Sequence, residues 1–438
     1  MNASPSNDEL IAFRARHFIP TAYLYHKEPI QLTKAKGVYV WDQTGKQYLD
    51  AIGGIVSISA GHNHPRIQQA MREMLDADEL QHTSLLYLTK YPVELAKALL
   101  AEAPAGFEKV ALTNSGSEAN EFAFMAARHA TGETIVMNLR HGYHGGTSGV
   151  LAHCGHANWR FRSQPNTNAT SALEPNCYRC PFGKKPDSCA LECAQNVETT
   201  IQTTTHGKIA AFIAEPVMGV GGFVTPPKAY FDAVTRIVHN YGGVYISDEV
   251  QTGVGRCGGN FFLTKELGID ADVITLAKGL GNGAAIGAVV TKPAVVQAMA
   301  GKLYFNTFGG DPYQTRQAKV NMDIIQEEGL IANARVMGTR LMQGLRDLMA
   351  DAPLIGDVRG RGLLIGVELV KDRTTKEYAT EATAQVMDLC KERGLLLGKG
   401  GLFGNVLRIA PPLSITATHV DFILKTIAEA LHTTAHAA

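Results

Sequence analysis

The sequence predicts an α/β fold, with a mostly parallel central sheet in a large domain and a smaller α+β domain beside it. Three observations lead to this prediction. From about residue 108, short apolar runs alternate with helical patterns, which is typical of a parallel sheet with crossover helices. Residues 31–60 alternate around a Thr-Gly turn, as short antiparallel strands do. From residue 329, a long helical pattern precedes a strand pair and another helix.

The first predicted helix of the large domain begins near residue 61. Residues 61–65 (GHNHP) open it, because the next residues, IQQAMREML, carry apolar side chains at helical spacing. The apolar runs KVALTN, TIVMN, IAAFIAEP, GVYISDEV, VITLA and AIGAVVT are expected as strands of the central sheet. At 438 residues the chain exceeds the usual size of one domain. Residues 1–64 are predicted as the N-terminal segment of the small domain, 65–328 as the large domain, and 329–438 as the C-terminal part of the small domain.

Composition and charge exclude several classes of function. Lys and Arg number 41 and Asp and Glu number 41, so no basic excess points to nucleic acid or to a membrane surface as a partner. No apolar run approaches the roughly 20 residues that span a bilayer. The start, MNASPSNDEL, lacks the pattern of a signal or transit peptide, and the seven cysteines are odd in number. A reducing, cytoplasmic location is therefore expected.

Two of the predicted strands end in side chains of opposite charge. Asp248 closes one apolar run, and Lys278 closes the run VITLA and opens onto GLGNG. Open α/β sheets bind ligands beyond the carboxyl ends of their strands, so both groups can reach one ligand. Pyridoxal phosphate needs such a pair: an amine holds its aldehyde as a Schiff base, and a carboxylate keeps its ring nitrogen protonated. Taken alone, Lys278 would be interpreted as a solvated surface residue and Asp248 as a residue of a turn.

The stretch that carries this pair resembles a known signature. Residues 245–283 are similar, almost position for position, to the signature of the class III pyridoxal-phosphate-dependent aminotransferases. The resemblance implies fold type I, the aspartate aminotransferase-like fold, with residues 65–328 as the domain that binds pyridoxal phosphate and with Lys278 and Asp248 as catalytic residues. Further likeness in NTFGG, GDVRGRGLLIGVEL and LLLGKGGLFGNVLRIAP points to the branch of the second type of alanine–glyoxylate aminotransferase, over most of the chain outside residues 155–205.

A second element suits the phosphate of that cofactor. Ser115, Gly116 and Ser117 come directly after a predicted strand and begin a helix, where backbone N–H groups and hydroxyls form a cradle for anions. A serine ahead of a glutamate is also a plain helix cap. The family's SGSEA element matches this segment, and the resemblance implies phosphate binding here.

Other contacts to the cofactor are implied by the resemblance alone. Tyr143, in RHGYHGG, matches the aromatic residue that stacks on the pyridine ring, and His144 either hydrogen-bonds nearby or supports the turn. Val250 matches the residue on the opposite ring face, and Gln251 the one that bonds the ring hydroxyl or the phosphate region. Thr307, in NTFGG, matches the threonine that reaches the phosphate of the partner subunit's cofactor. This implies a homodimer with shared active sites, and a tetramer is compatible with it.

The resemblance also assigns the substrate side. Arg408, in LRIAPPL, matches the family's carboxylate-binding arginine, for which an interdomain salt bridge is the alternative reading. Glu215 matches the first glutamate of the family's EP…G element, and Ile55 a position that lines the substrate pocket. Ornithine and γ-aminobutyrate aminotransferases carry a second glutamate that pairs with the arginine, and here Val220 takes that place. Arg408 is therefore expected to stay available to carboxylates in both half-reactions.

A cysteine-rich insert spans residues 177–193. Its Cys-x2-Cys-x8-Cys-x3-Cys spacing has the ligand count of a structural zinc or iron–sulfur site, although the x8 spacer is shorter than in common zinc ribbons. Four reduced thiols in a loop are the alternative, and the two readings stay open. The candidate ligands are Cys177, Cys180, Cys189 and Cys193.

Together these patterns predict a transaminase acting on small molecules. The amino donor is expected to be alanine, β-alanine, γ-aminobutyrate or a similar amino acid, and the acceptor a small keto acid, glyoxylate or pyruvate, in a ping-pong mechanism. One alternative is a phospholyase that eliminates phosphate from an amino-alcohol phosphate with the same cofactor. A remote alternative is a non-enzymatic scaffold stabilised by a metal in the cysteine insert.

Overall fold

The computed structural model describes residues 5–21, 23–162 and 168–436. Its strands are β1 Leu32–Lys36, β2 Tyr39–Asp42, β3 Gln47–Asp50, β4 Lys109–Thr113, β5 Val136–Leu139, β6 Ala169–Ala172, β7 Ala211–Ala214, β8 Val244–Asp248, β9 Val273–Leu276, β10 Gly287–Thr291, β11 Ile355–Arg361, β12 Leu364–Leu369, β13 Leu395–Leu396, β14 Gly398–Gly400 and β15 Val406–Ile409.

Helices alternate with these strands through the middle of the chain. The α-helices are α1 Asn7–His17, α2 Gly53–Val56, α3 Pro65–Asp76, α4 Lys90–Glu102, α5 Gly116–Thr131, α6 Ser148–Leu151, α7 Glu192–Thr204, α8 Lys228–Asn240, α9 Leu263–Leu267, α10 Pro293–Gln297, α11 Pro312–Glu327, α12 Leu330–Asp347, α13 Thr380–Glu392 and α14 Ala417–Ala435. Short 3-10 turns cover Ala157–Trp159, Pro186–Ser188, Lys278–Leu280 and Leu348–Ala350. The predicted helix after residues 61–65 is confirmed as α3.

A seven-stranded sheet forms the centre, in the order β4-β10-β9-β8-β7-β5-β6. Neighbours from β9 to β6 pair in parallel, and β10 is antiparallel to both β4 and β9. Strands β5, β7, β8, β9 and β10 are buried along their whole length, as strands covered on both faces must be. The predicted mostly parallel central sheet is confirmed.

This topology brings the carboxyl ends of β4, β8 and β9 to one edge. Strand β8 ends at Asp248, β9 ends two residues before Lys278, and β4 ends just before the start of α5. Asp248 pairs in register with Thr275 on β9. An acid, a lysine and a helix N-terminus thus meet at the edge where such sheets bind ligands.

Two smaller sheets flank the centre. One has the order β1-β2-β3-β13, and the other has the order β11-β12-β15-β14. Strand β13, from the C-terminal region, pairs in parallel with β3, so Leu395 lies opposite Leu49. Arg408 lies on β15, opposite Gly366 and Gly398. The prediction that both ends of the chain build one small domain agrees with the β13–β3 pairing, and its boundaries stay a prediction.

One hydrophobic core connects these layers. Leu49, Tyr245 and Leu407, from three different sheets, belong to a single cluster of buried side chains. Within the described ranges, no helix has both the length and the hydropathy to cross a bilayer.

Candidate active site

A cavity of about 320 Å³ opens at the carboxyl edge of the central sheet. It is formed by the ends of β8 and β9, the start of α5 and the loops after β5 and β7. The sequence-predicted residues that line it are Ser115, Gly116, Ser117, Tyr143, His144, Glu215, Asp248, Val250, Gln251 and Lys278.

Asp248 is buried and held by three hydrogen bonds. Its Oδ2 accepts from Asn120 Nδ2 at 2.9 Å and is 2.8 Å from His144 Nδ1, and its Oδ1 accepts from the backbone N–H of Val250 at 3.1 Å. The other ring nitrogen of His144, Nε2, is buried with no protein partner. His144 therefore supports the carboxylate, which is the hydrogen-bonding alternative of the two that the sequence left open.

Lys278 lies just beyond β9 in a strained backbone conformation. Its φ is +44°, in the left-handed region that a residue with a side chain rarely adopts. Burial lowers the pKa of the amine, Asp248 and Glu215 raise it, and the positive charge of Arg408 lowers it further. A lowered pKa makes the neutral, nucleophilic amine more accessible near neutral pH.

The residues at the start of α5 cap the helix and also form a candidate anion-binding site. The Ser115 hydroxyl accepts from the backbone N–H of Glu118 at 3.2 Å, and the Ser117 hydroxyl accepts from that of Gly146 at 3.0 Å. A Cβ on Gly116 would lie 2.9 Å from a methyl group of Val250. Only glycine therefore lets the helix N-terminus pack against Val250 and leave its N–H groups beside the cavity, where an anion would fit.

Tyr143 is positioned through both its backbone and its ring. Its N–H donates to Glu215 Oε1 at 3.0 Å, and its ring meets Trp159 edge-on with centroids 5.0 Å apart. Glu215 Oε2 also accepts from the N–H of Gly219 at 2.8 Å. Burial raises the pKa of Glu215 to about 7, with His144 opposing and Asp248 adding to the shift. The carboxyl group thus anchors the loop that carries Tyr143.

Arg408 is buried beside this cavity, with 4% of its surface exposed. Its Nη2 donates to Gln251 Oε1 at 2.6 Å, and its guanidinium lies 4.5 Å above the Phe223 ring. The Nε atom is buried without a partner. Among the described residues no carboxylate lies within the 4 Å of an ion pair with it, so the structure does not support the salt-bridge alternative for Arg408.

A second cavity, of about 490 Å³, lies next to the arginine. Tyr23, Trp159, Val220 and Lys399 line it. A Cβ on Gly400 would lie 2.7 Å from Arg408 Cδ and 3.2 Å from the Val220 carbonyl oxygen. The Val220 backbone carbonyl and the Arg408 side chain therefore pack against the same glycine.

Three predicted residues do not line these cavities: Arg408, which packs behind them, Thr307 and Ile55. Thr307 is exposed, and the preceding Asn306 ties its loop to α5 by donating to Glu118 Oε2 at 2.8 Å. Ile55 is 39% exposed with φ +73°, and Ser57 of the same loop lines the cavity instead. A role for Thr307 therefore requires a second subunit, and the pocket-lining role of Ile55 is not supported within one chain.

The cysteine insert does not form a metal site in this structure. Cys177, Cys180, Cys189 and Cys193 border one small cavity, yet in the described ranges no three His, Cys, Asp or Glu side chains are arranged to hold an ion. The Cys189 thiol instead donates to Glu192 and accepts from the N–H of Leu191, both at 3.3 Å. Burial raises the pKa of Cys193 to about 11. The structure shows the four cysteines as free thiols, and its geometry does not support the metal prediction.

Sequence reasoning missed three residues of the site. Asn120 bonds Asp248, Trp159 packs on Tyr143, and Glu118 accepts from Asn306 and from the backbone and side chain of Asn114. Asn120 had a detectable signal, because it is a polar residue on the buried, alanine-rich face of α5. Trp159 had no such signal in the sequence, because its contact with Tyr143 joins two loops.

Comparison with known proteins identifies the family. The class III aminotransferase family model matches residues 22–431. The alanine–glyoxylate aminotransferase 2 homolog 2, mitochondrial, of Arabidopsis thaliana is 38% identical over 96% of this chain and 87% of its own length. A leucine/methionine racemase of Thermococcus litoralis is 36% identical over 94% of this chain and 93% of its own. An amine transaminase from an uncultivated Pseudomonas species, solved in its pyridoxal-phosphate-bound form, superposes with a TM-score of 0.88 at 27% identity, over 95% and 98% of the two chains.

Proposed function

Because this chain belongs to the class III aminotransferases, with the fold type I architecture of pyridoxal-phosphate-dependent transaminases, we propose that it transfers an amino group from an amino acid to a small keto acid. The donor is alanine, β-alanine, γ-aminobutyrate or a similar amino acid, and the acceptor is glyoxylate or pyruvate. The reaction is ping-pong, since one cavity serves donor and acceptor in turn.

The residues around the cavity fit pyridoxal phosphate. Asp248 would hold the ring nitrogen, Tyr143 and Val250 the two ring faces, and Gln251 the ring hydroxyl. The glycine at the start of α5 lets the helix N-terminus pack beside the cavity, where its N–H groups would hold the phosphate. When bound, the cofactor supplies an electron sink for the electron pair left by a departing Cα proton.

Lys278 is the group placed to carry that proton. It lines the same cavity as Asp248, and burial keeps its pKa below that of an ordinary lysine. A general base works best when its pKa lies near the working pH. Lys278 would take the proton from the donor Cα and hold it at Nζ for the next transfer, while Asp248 stays fixed by its three hydrogen bonds.

The substrate assignment rests on one observation: the guanidinium of Arg408 is buried and has no ionic partner among the described residues. A buried guanidinium without an ionic partner is costly, and a bidentate carboxylate is the ligand that best compensates it. Val220 supplies no competing charge. Arg408 is therefore free for the carboxylate of the donor and, in the second half-reaction, for that of the keto acid.

The test is a panel of reactions with the purified enzyme. Alanine, β-alanine and γ-aminobutyrate are supplied as donors, each with glyoxylate, pyruvate or 2-oxoglutarate as acceptor. The proposal expects kcat/KM for a small keto acid to equal or exceed that for 2-oxoglutarate. A strong preference for 2-oxoglutarate would contradict the substrate assignment and leave the cofactor assignment standing.

The same assay separates two other activities of this cofactor. The racemase relative supports racemisation as a second candidate, because proton return to the opposite face of the substrate Cα, instead of to the cofactor, would invert an amino acid. Incubation of L-alanine without a keto acid, with chiral analysis of the product, detects it. Phosphate release from an amino-alcohol phosphate would instead indicate a phospholyase.

A homodimer with shared sites is part of the proposal. Apolar side chains that are exposed in the single chain gather around the Thr307 loop, where His82 contacts Phe308 and Phe122 contacts Tyr304. Exposed patches of this kind mark subunit interfaces. Thr307 would then face the partner subunit's cavity. The patch includes Leu85, Leu86, Leu88, Leu303, Phe305 and Phe308.

A further inference from the structure

The only side-chain hydrogen bond described for the Arg408 guanidinium is to a neutral group. Nη2 donates to the amide oxygen of Gln251 at 2.6 Å. Two glycines fix this pair: a Cβ on Gly219 would lie 2.1 Å from Gln251 Nε2, and one on Gly400 would lie 2.7 Å from Arg408 Cδ. A larger residue at either glycine would displace one partner, so the backbone at these two positions fixes the contact between Gln251 and Arg408.

An amide leaves the charge of the arginine largely uncompensated. Burial lowers the pKa of Arg408, because the charged form is costly away from water, and Tyr25, Glu215 and Tyr23 oppose part of this shift. The Phe223 ring gives partial compensation through its face, and Nε has no partner at all. A hydrogen bond from a guanidinium to an amide is weaker than one to a carboxylate, so an entering carboxylate gains by taking the place of Gln251.

We propose that Gln251 is a specificity-determining latch: its amide oxygen occupies the position on Arg408 that the substrate carboxylate takes, and yields it without an ion pair being broken. The inference rests on the proposed function and deepens it. Donors and acceptors with a carboxylate are favoured, while a plain amine leaves the buried charge without an ion-pair partner. Selectivity against plain amines thus comes from the neutrality of residue 251.

The test replaces the amide of residue 251 by a carboxylate on a side chain of the same length. Gln251→Glu should pair with Arg408 and weaken binding of propionate to the cofactor-loaded enzyme by about tenfold or more, measured by calorimetry. The same variant should lose about tenfold or more in kcat/KM with alanine relative to isopropylamine, because only alanine must displace the introduced carboxylate.

Gln251→Met is the matched control. Like Gln251→Glu, it removes the amide group that would contact the cofactor, but it adds no charge. Propionate should therefore bind within about threefold of wild type. Unchanged propionate binding in Gln251→Glu, or equal weakening in both variants, would overturn the latch. If Arg408→Ala still abolishes carboxylate selectivity in that case, the proposed function stands without the latch.

A measurement on the unmodified enzyme covers the case in which a variant does not fold. Propionate and propionamide have the same shape and differ in charge. The latch predicts that propionate binds wild type at least about tenfold more tightly, because it replaces one amide contact on Arg408 by a charged one. Equal binding of the two ligands would overturn both the latch and the proposed role of Arg408, whereas failure of the comparison between Gln251→Glu and Gln251→Met overturns the latch alone.

Discussion

Two charged side chains, Asp248 and Arg408, act on the amine of Lys278 in opposite directions. Burial and Arg408 both lower the pKa of Lys278, and Asp248 counters them. Asp248 is in turn fixed by Asn120 and His144. The amine is thereby kept available as a nucleophile and base without a change of fold, which is a common use of perturbed pKa values at active sites.

Removing the amine tests the role of Lys278. In Lys278→Ala we expect turnover to fall by about 10³-fold or more, because both the covalent anchor and the general base are lost. Borohydride should fix the cofactor covalently to wild type and not to the variant. Lys425→Ala, at a lysine 76% exposed on α14, should behave as wild type. Covalent fixation in Lys278→Ala would move the anchor to another lysine.

Glu215 should make stability depend on pH. Its folded-state pKa is raised from 4.5 to about 7, so its contribution is fully present below pH 4.5 and is lost as the pH rises through 7. Glu215→Gln loses one N–H acceptor at every pH but cannot ionise. The Tm of the variant relative to wild type should therefore rise between pH 4.5 and 7 and level off above it. A difference that is constant across this range would contradict the raised pKa.

At the scale of elements, the site depends on the residues just beyond the carboxyl end of each strand. Asp248 and Lys278 were predictable because each closes an apolar run, and parallel strands bring their carboxyl ends together. The cap at Ser115 was predictable from local spacing alone. The Gln251–Arg408 contact was not, because 157 residues separate its members and β15 belongs to another sheet. Whether the cysteine insert binds a metal could not be predicted, because spacing along the chain does not fix where thiols point.

The loop after β7 provides a test at this scale. Val220 and Arg408 flank Gly400, so Val220→Glu should place a carboxylate beside the guanidinium. Small keto acids must then displace it, and the KM for glyoxylate should rise by about tenfold. Val220→Gln, of the same length without the charge, should change KM far less. If both variants raise KM equally, crowding and not charge explains the effect.

For the whole molecule, the exposed patch around Thr307 should be the dimer interface. Leu303 is fully exposed in the single chain, so Leu303→Arg should place a charge in the interface and shift the sedimentation equilibrium toward monomer. Activity should fall with dissociation, since Thr307 would no longer reach the partner cavity. Val336→Arg, at an exposed valine on α12, is the control and should remain dimeric. A monomer that keeps full activity would contradict shared sites.

The assembled molecule also joins the two halves of the substrate site. Lys278 comes from the central sheet and Arg408 from β15 of the C-terminal sheet, and a continuous core holds the two sheets together. In the proposed function, proton transfer therefore depends on one part of the fold and carboxylate recognition on another. The two functions should be separable by mutation.

Single-turnover half-reactions of wild type and Arg408→Ala with alanine and with isopropylamine test this separation most directly. The half-reaction needs no keto acid, so only the donor's carboxylate is in question. We expect the variant to lose about 100-fold or more in rate constant over dissociation constant with alanine, the worth of two charged hydrogen bonds, and less than about tenfold with isopropylamine. Equal losses with both donors would contradict the assignment of Arg408 to the substrate carboxylate.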